Sequence, residues 1–353
     1  MFRFLAVAFA IAGLLPAQER RTRIDVEHYS IDADINGRTQ SLSARAAVRI
    51  VPLDDGVTSA IFELNNALNV TKVTDEKGVS LTPVRTQSDF TVRVNFPQPL
   101  TKGTASTITF VYDGHLTGTE DSPVYGIKFA AIHDDYSFLL YPARWFPVSG
   151  YSTDRFTADM NITVADGNRV AASGNETSRH SGDKVTYSFQ FAKPSFPGSI
   201  AVSRTSAVKQ ATDGLNTSLF FRGPEANMTT VYGQETAKMV NYFTGIFGIA
   251  PYANLTVFET EANAPSGYAA PGLIFLNPRA IGHDVNARVL ANEVSRQWWG
   301  VQVSPGTRNH LWLENGLAAY SEALWAEHTG GSNALETQMK AASIEALTVD
   351  NVP

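Results

Sequence analysis

Residues 288–300, "RVLANEVSRQWWG", followed at 311–320 by "LWLENGLAAY", decide how the rest of the chain is read. The first stretch has the markings of a helix from about Val285 to Trp299. Val285, Val289, Val294 and Trp298 supply its apolar positions, Asp284 is a fair N-cap and Gly300 a fair C-cap. Asn292 and Arg296 stand four apart, so they project from one face of that helix, with Glu293 between them. A second helix is expected from near Glu314, carrying Asn315 and Glu322. Trp298, Trp299, Trp312 and Trp325 read as core.

Upstream the texture is different. From about Ile24 to Ala207 the pattern is mostly period two. "DFTVRVNF" sets Phe90, Val92, Val94 and Phe96 against polar neighbours, and "STITFVYDG" does the same with Ile108, Phe110 and Tyr112. "FTADMNITV" and "VTYSFQF" repeat the alternation, and turn signals such as "DDG", "DGN" and "SGD" separate the runs. Many such strands with no helical pattern between them predict an antiparallel sandwich or saddle-shaped sheet. After about Thr212 a helix is expected over "EANMTTVYGQETAKMVNYFTGIFG", ended by Gly248, then strands in "NLTVFET" and "GLIFLN". The expected organisation is a leader over 1–18, a β-rich domain over 19–208 and an α/β-to-α domain over 209–353.

The chain has 353 residues, 43% apolar and 18% charged, an ordinary globular balance. A net charge of −6, without any Lys/Arg run, argues against nucleic acid as a partner. There is no cysteine, which excludes disulfides, thiolate metal sites and cysteine nucleophiles. At the N-terminus, Arg3 precedes an apolar run from Phe4 to Leu15 and a small-residue exit at Ala17. That is the layout of a secretory signal peptide cleaved near Ala17–Gln18. The run is too short for the ~20 residues that span a bilayer. An exported protein is expected, periplasmic or extracellular, with no membrane anchor after cleavage.

Five segments, in order, resemble the aminopeptidase N-like zinc metallopeptidases, the gluzincin group with a thermolysin-like catalytic domain. They are "YPARWFPVSGYSTDRFTADMNITV", "MVNYFTGIFGIAPYANLTV", "SGYAAPGLIFLN", "NEVSRQWWG" and "LWLENGLAAY". The resemblance covers nearly all of the chain beyond the leader and implies that family's β domain followed by a thermolysin-like domain. It also implies a zinc held by H-E-x-x-H on one helix and a Glu on the next, with the Glu inside the motif as general base. Here the two histidine positions hold Asn292 and Arg296, and the third ligand position holds Asn315. Asn is a weak neutral donor, and the guanidinium of Arg296 stays protonated where a cation should sit. No metal is therefore expected. Only the base position, Glu293, retains the family's residue.

The substrate side departs as well. The family's Gly-Ala-Met-Glu-Asn strand offers a carboxylate to the substrate's α-amino group, and in "SGYAAPGL" that position falls on Ala269, between Gly267 and Gly272. Glu322 falls where the family keeps a carboxylate that orients a ligand histidine. An Arg296–Glu322 or Arg296–Glu293 ion pair is expected to fill the old site, with Glu314 a further charge partner beside Asn315. The family's catalytic Tyr lies downstream of these helices, and the sequence ends at Pro353 before it, which reads as a C-terminal truncation. The seven histidines are scattered, with no pair at i, i+3 or i+4; His310 and Glu314 are the only candidates for a substitute metal pair. The expected function is an exported pseudoenzyme that binds a peptide or protein partner in the former cleft. Alternatives are an active zinc aminopeptidase using unrecognised ligands and a purely structural or assembly module.

Overall fold

Alternation of buried and exposed side chains governs the chain from Ile24 onward, as the period-two pattern requires. The computed structural model describes residues 23–150 and 153–350, so the signal-peptide expectation for 1–18 lies outside the described residues. In chain order the first strands are β1 (Ile24–Asn36), β2 (Ser41–Pro52), β3 (Val57–Glu63), β4 (Leu68–Thr74), β5 (Pro83–Thr86), β6 (Thr91–Leu100) and β7 (Ser106–His115). Then come β8 (Ala130–Ile132), β9 (Tyr136–Leu139), β10 (Phe156–Ala165), β11 (Arg169–Ala172), β12 (Asn175–Ser181), β13 (Lys184–Ser195) and β14 (Ile200–Ser203). They form a seven-stranded sheet in the order β12-β13-β10-β1-β2-β7-β4, a three-stranded sheet β3-β6-β5 and a four-stranded sheet β11-β14-β9-β8.

Two expectations about this part need correction. The large sheet is not wholly antiparallel: β1 and β10 run parallel, with His28 opposite Thr157 and Asp34 opposite Thr163. Their pairing is non-local, because the chain runs through β2 to β9 before returning in β10, and the alternation within a strand carries no information about its direction. Phe90 is the second. Val92 and Val94 are buried, but Phe90 closes a short 3-10 turn at φ 55 and sits 4.8 Å from the buried Arg144 guanidinium. Arg144 in turn donates to Glu63 at 2.6 Å.

Beyond residue 207 come β15 (Val208–Thr212), β16 (Leu215–Phe220), α1 (Thr229–Phe247), β17 (Asn254–Glu259), β18 (Gly267–Ala270) and β19 (Leu273–Leu276). They are followed by α2 (Pro278–Ile281), α3 (Ala287–Ser295) and α4 (Leu311–Asp350), the last kinked at Gly331. The strands form one sheet in the order β15-β16-β17-β19-β18, in which β18 is an edge. Trp312 corrects the reading of the tryptophans: it is 65% exposed at the start of α4, while Trp298 and Trp325 are buried.

The four-stranded sheet is buried on both faces, and this is what joins the two parts of the chain. Ala130, Ile132, Leu139 and Val202 face the core of the large sheet. Their neighbours Ala131, Phe138, Leu140 and Ala201 pack on Phe220, Phe258 and Phe275 of the five-stranded sheet. The opposite face of that sheet, through Leu219, Val257 and Ile274, packs on α1 and α3 through Phe243, Leu290 and Val294. Each of the valine, leucine, isoleucine and phenylalanine side chains among them contributes about 1.5–3 kcal/mol by leaving water, and each alanine less. Alternation therefore fixes α3 behind β18 and β19, which positions the site.

Candidate functional site

Helix α3 begins at Asn286, whose side chain accepts from the Val289 N–H at 3.2 Å. Asn286 takes the capping role that the sequence suggested for Asp284, two residues earlier than the true helix start. Asn292, Glu293 and Arg296 follow on its last turns. The chain then turns through Trp299 to Gly300, at φ 111. A glycine is favoured there by the left-handed φ, and a Cβ would come within 2.6 Å of Glu314 Oε1 and displace that carboxylate.

Arg296 organises the site. Its Nε donates to Asn292 Oδ1 at 2.9 Å, its Nη1 to Glu314 Oε1 at 3.2 Å and its Nη2 to Asn315 Oδ1 at 3.1 Å. Positions 292 and 315, which the resemblance assigns to metal ligands, thus converge on the guanidinium of the third, 296. Glu293 Oε2 lies 3.9 Å from Nε, an ion pair without a hydrogen bond. The expected Arg296–Glu322 pair does not form. Glu322 is taken by Arg288 Nε at 2.7 Å and by Asn292 Nδ2 at 2.6 Å. Arg288 lies two turns before Arg296 on α3 and reaches Glu322 first, leaving Glu314 for Arg296.

Glu293 is 7% exposed and its Oε2 has no hydrogen-bond partner. Burial pushes its carboxyl up to about 7; the Arg296 charge opposes this and the Glu322 charge adds to it. Its side chain packs against Gly267 so closely that any Cβ there would collide with it. Glu314 is also raised by burial, against the pull of Arg296 and Arg155.

A cavity of about 450 Å³ opens beside these groups. Phe129, Phe196 and Tyr268 line its apolar side, and Glu293, Arg296 and Glu314 its polar side. Edge strand β18 borders it with Gly267, Tyr268 and Ala269, and Gly272 turns the chain into β19 at φ 75. Two residues that the sequence reading did not single out hold this arrangement. Gln297 accepts from Gly272 N at 3.0 Å and donates to Ala270 O at 3.1 Å and Leu273 O at 3.3 Å, so it locks the β18–β19 turn to the end of α3. Arg155 donates to Val301 O at 2.9 Å and to Ser304 Oγ at 3.0 Å, tying β10's approach to the loop after α3. Neither pattern has a sequence signature, because both depend on where distant segments meet.

No family model matches the chain, and neither does any curated protein sequence. Solved structures do. An M1 zinc metallopeptidase from Deinococcus radiodurans superposes with a TM-score of 0.72 at 22% identity, over 94% of this chain and 76% of that one. A point mutant of it bound to a Tyr-Ser-Ala substrate gives the same values. A two-domain M1 zinc metallopeptidase mutant bound to L-arginine gives 0.71 at 23%, over 92% and 75%. The fold is that of the M1 zinc metallopeptidases.

The donor set decides whether an M1-type zinc fits here, and it does not fit. Asn292 and Asn315 offer neutral amide oxygens that already accept from Arg296, and a permanent cation stands among them. Among the described residues, no three His, Cys, Asp or Glu side chains gather as a metal-holding group. His310 is exposed, with its Nδ1 3.5 Å from Thr307 Oγ1.

Proposed function

We propose that this chain is an exported pseudoenzyme on the M1 peptidase fold, which binds peptides in the former active-site cleft without zinc and without hydrolysing them. The observation that carries this reading is Arg296, whose guanidinium joins Asn292, Glu314 and Asn315 beside a cleft that stays open. A general base needs an activated water to act on, and Asn292, Arg296 and Asn315 at the family's ligand positions do not suit a metal that would supply one. Loss of the strand carboxylate, with Ala269 in its place, removes the anchor for a substrate amine. The cavity has the size and the apolar lining of a small-ligand site. Edge strand β18 borders the cavity, where an extended peptide would lie along it. One fold neighbour is bound to a tripeptide substrate, which supports peptides as the ligand class. Export rests on the N-terminal pattern of Arg3, Phe4–Leu15 and Ala17.

The test is zinc content by elemental analysis, on protein from zinc-supplemented medium, together with release of 4-nitroaniline from amino-acid 4-nitroanilides. Zinc below about 0.1 per chain and no turnover are expected, given that structural and catalytic zinc sites bind tightly at neutral pH. Near one zinc per chain, with turnover abolished by chelator, would make the protein an active metallo-aminopeptidase with ligands other than those at 292, 296 and 315.

A further inference from the structure

The polar wall of the cavity has one group with hydrogen-bonding capacity to spare. Arginine carries five N–H donors in a planar fork. Arg296 spends three of them, one each from Nε, Nη1 and Nη2, on Asn292, Glu314 and Asn315. A second hydrogen on Nη1 and on Nη2 has no acceptor among the described contacts. The side chain is 23% exposed and lines the cavity, so a ligand there meets the guanidinium. The two carboxylates beside it are less available. Glu314 Oε1 already accepts from Arg296, and Glu293 is only 7% exposed, packed against Gly267. A second cation stands behind the apolar wall: Arg155 lies 5.1 Å from the Phe196 ring. On β18, position 269 is an alanine and offers nothing to an ammonium group.

Starting from the peptide-binding reading, on which this rests, we propose that the cleft receives a peptide by its carboxylate end. The terminal carboxylate takes the spare Nη1 and Nη2 hydrogens of Arg296, and an apolar last side chain lies against Phe129, Phe196 and Tyr268. Charge and shape select the same ligand. A guanidinium with two free N–H groups on different nitrogens suits the paired oxygens of a carboxylate. The three aromatic residues supply the dry surface that an apolar side chain needs. A cavity of about 450 Å³ holds one or two residues rather than a long segment, which favours a chain end.

The experiment is calorimetric titration of the full chain with three peptides: N-acetyl-Ala-Phe, its C-terminal amide, and N-acetyl-Asp-Phe amide. A charge-assisted hydrogen bond is worth enough that the free acid is expected to bind about tenfold tighter than its amide, or more. The preference should vanish in Arg296→Gln. If that variant fails to fold, raising NaCl from about 50 to 500 mM on the unaltered protein should weaken the acid and leave the amide unchanged. Equal affinity for acid and amide overturns the carboxylate assignment and leaves the peptide-binding cleft standing. Tight binding of the aspartyl amide, matching the free acid, overturns the chain-end assignment. Failure of all three peptides to bind at millimolar concentration overturns the peptide-binding reading itself, and this inference with it.

Discussion

Glu293 is a carboxyl with an unpartnered oxygen in a buried position, and its chemistry is dominated by the cost of leaving water. Its folded pKa of about 7 lies above the ~4.3 of an unfolded glutamate. Between those two values the folded chain holds a proton that the unfolded chain has released. Stability therefore falls as pH rises from about 4.3 to 7 and stays reduced above that. A glutamine keeps the shape and a polar terminus without a charge to bury. Glu293→Gln is expected to stabilise the protein by about 1–3 kcal/mol at pH 8, a rise in Tm of several degrees, and to have little effect at pH 4. Thermal melts of both proteins at the two pH values test this. An equal change in Tm at both would mean that the carboxylate is not penalised by burial. The position of this residue on the helix was legible in the sequence, because i to i+4 spacing is a local property. Its state was not, because burial depends on Gly267 and on the second helix.

The elements around it show where local reading stops. Helix α3 and the start of α4 were legible from periodicity, and so was the i, i+4 relation of 292 and 296, while position 315 came from the family resemblance. Which carboxylate meets Arg296 was not. The outcome depends on the relative placement of α3 and α4, and Arg288 wins Glu322 because it stands opposite that turn of α4. Likewise the N-cap fell on Asn286 rather than Asp284, since both side chains suit the role and the place of the first helical turn decides between them. Gln297 had no signal at all, yet it holds Gly272 N and two carbonyls of the β18–β19 hairpin. Gln297→Ala would remove the three hydrogen bonds to Gly272 N, Ala270 O and Leu273 O. A loss of about 2–4 kcal/mol is expected, read as a lower urea midpoint with an unchanged slope. A loss under about 0.5 kcal/mol would mean that the hairpin holds its place without α3, and that β18 is not positioned by the helix behind it.

At the scale of the whole molecule, the cleft exists only while the β-rich part stays docked on the C-terminal part. The fold class of each part was legible from the change in periodicity near residue 207. The parallel β1–β10 seam and the doubly buried four-stranded sheet were not, since both follow from non-local pairing. Besides the aromatic layer, a polar cluster holds the two parts together. Lys128 N donates to Asn263 O at 2.9 Å, while Lys128 Nζ and His133 Nε2 meet Glu261 at 2.7 Å and 3.0 Å. Burial pushes the Glu261 carboxyl up, but the hydrogen bonds and charges of His133 and Lys128 together outweigh it and hold the group at about 2. The sign is opposite to that of Glu293. An unfolded glutamate titrates near ~4.3, so between there and about 2 the unfolded chain binds the proton that the folded chain refuses. The stability that Glu261 contributes is complete above about pH 5 and disappears as pH falls toward 2. Glu261→Gln is expected to cost about 1–3 kcal/mol at pH 6. Its denaturation midpoint should converge with that of the unaltered protein as the pH is lowered from 5 to 3. Parallel pH profiles for the two proteins, with no convergence, would show that Glu261 titrates alike folded and unfolded, and that docking rests on the aromatic layer of Phe138, Phe220 and Phe258 alone.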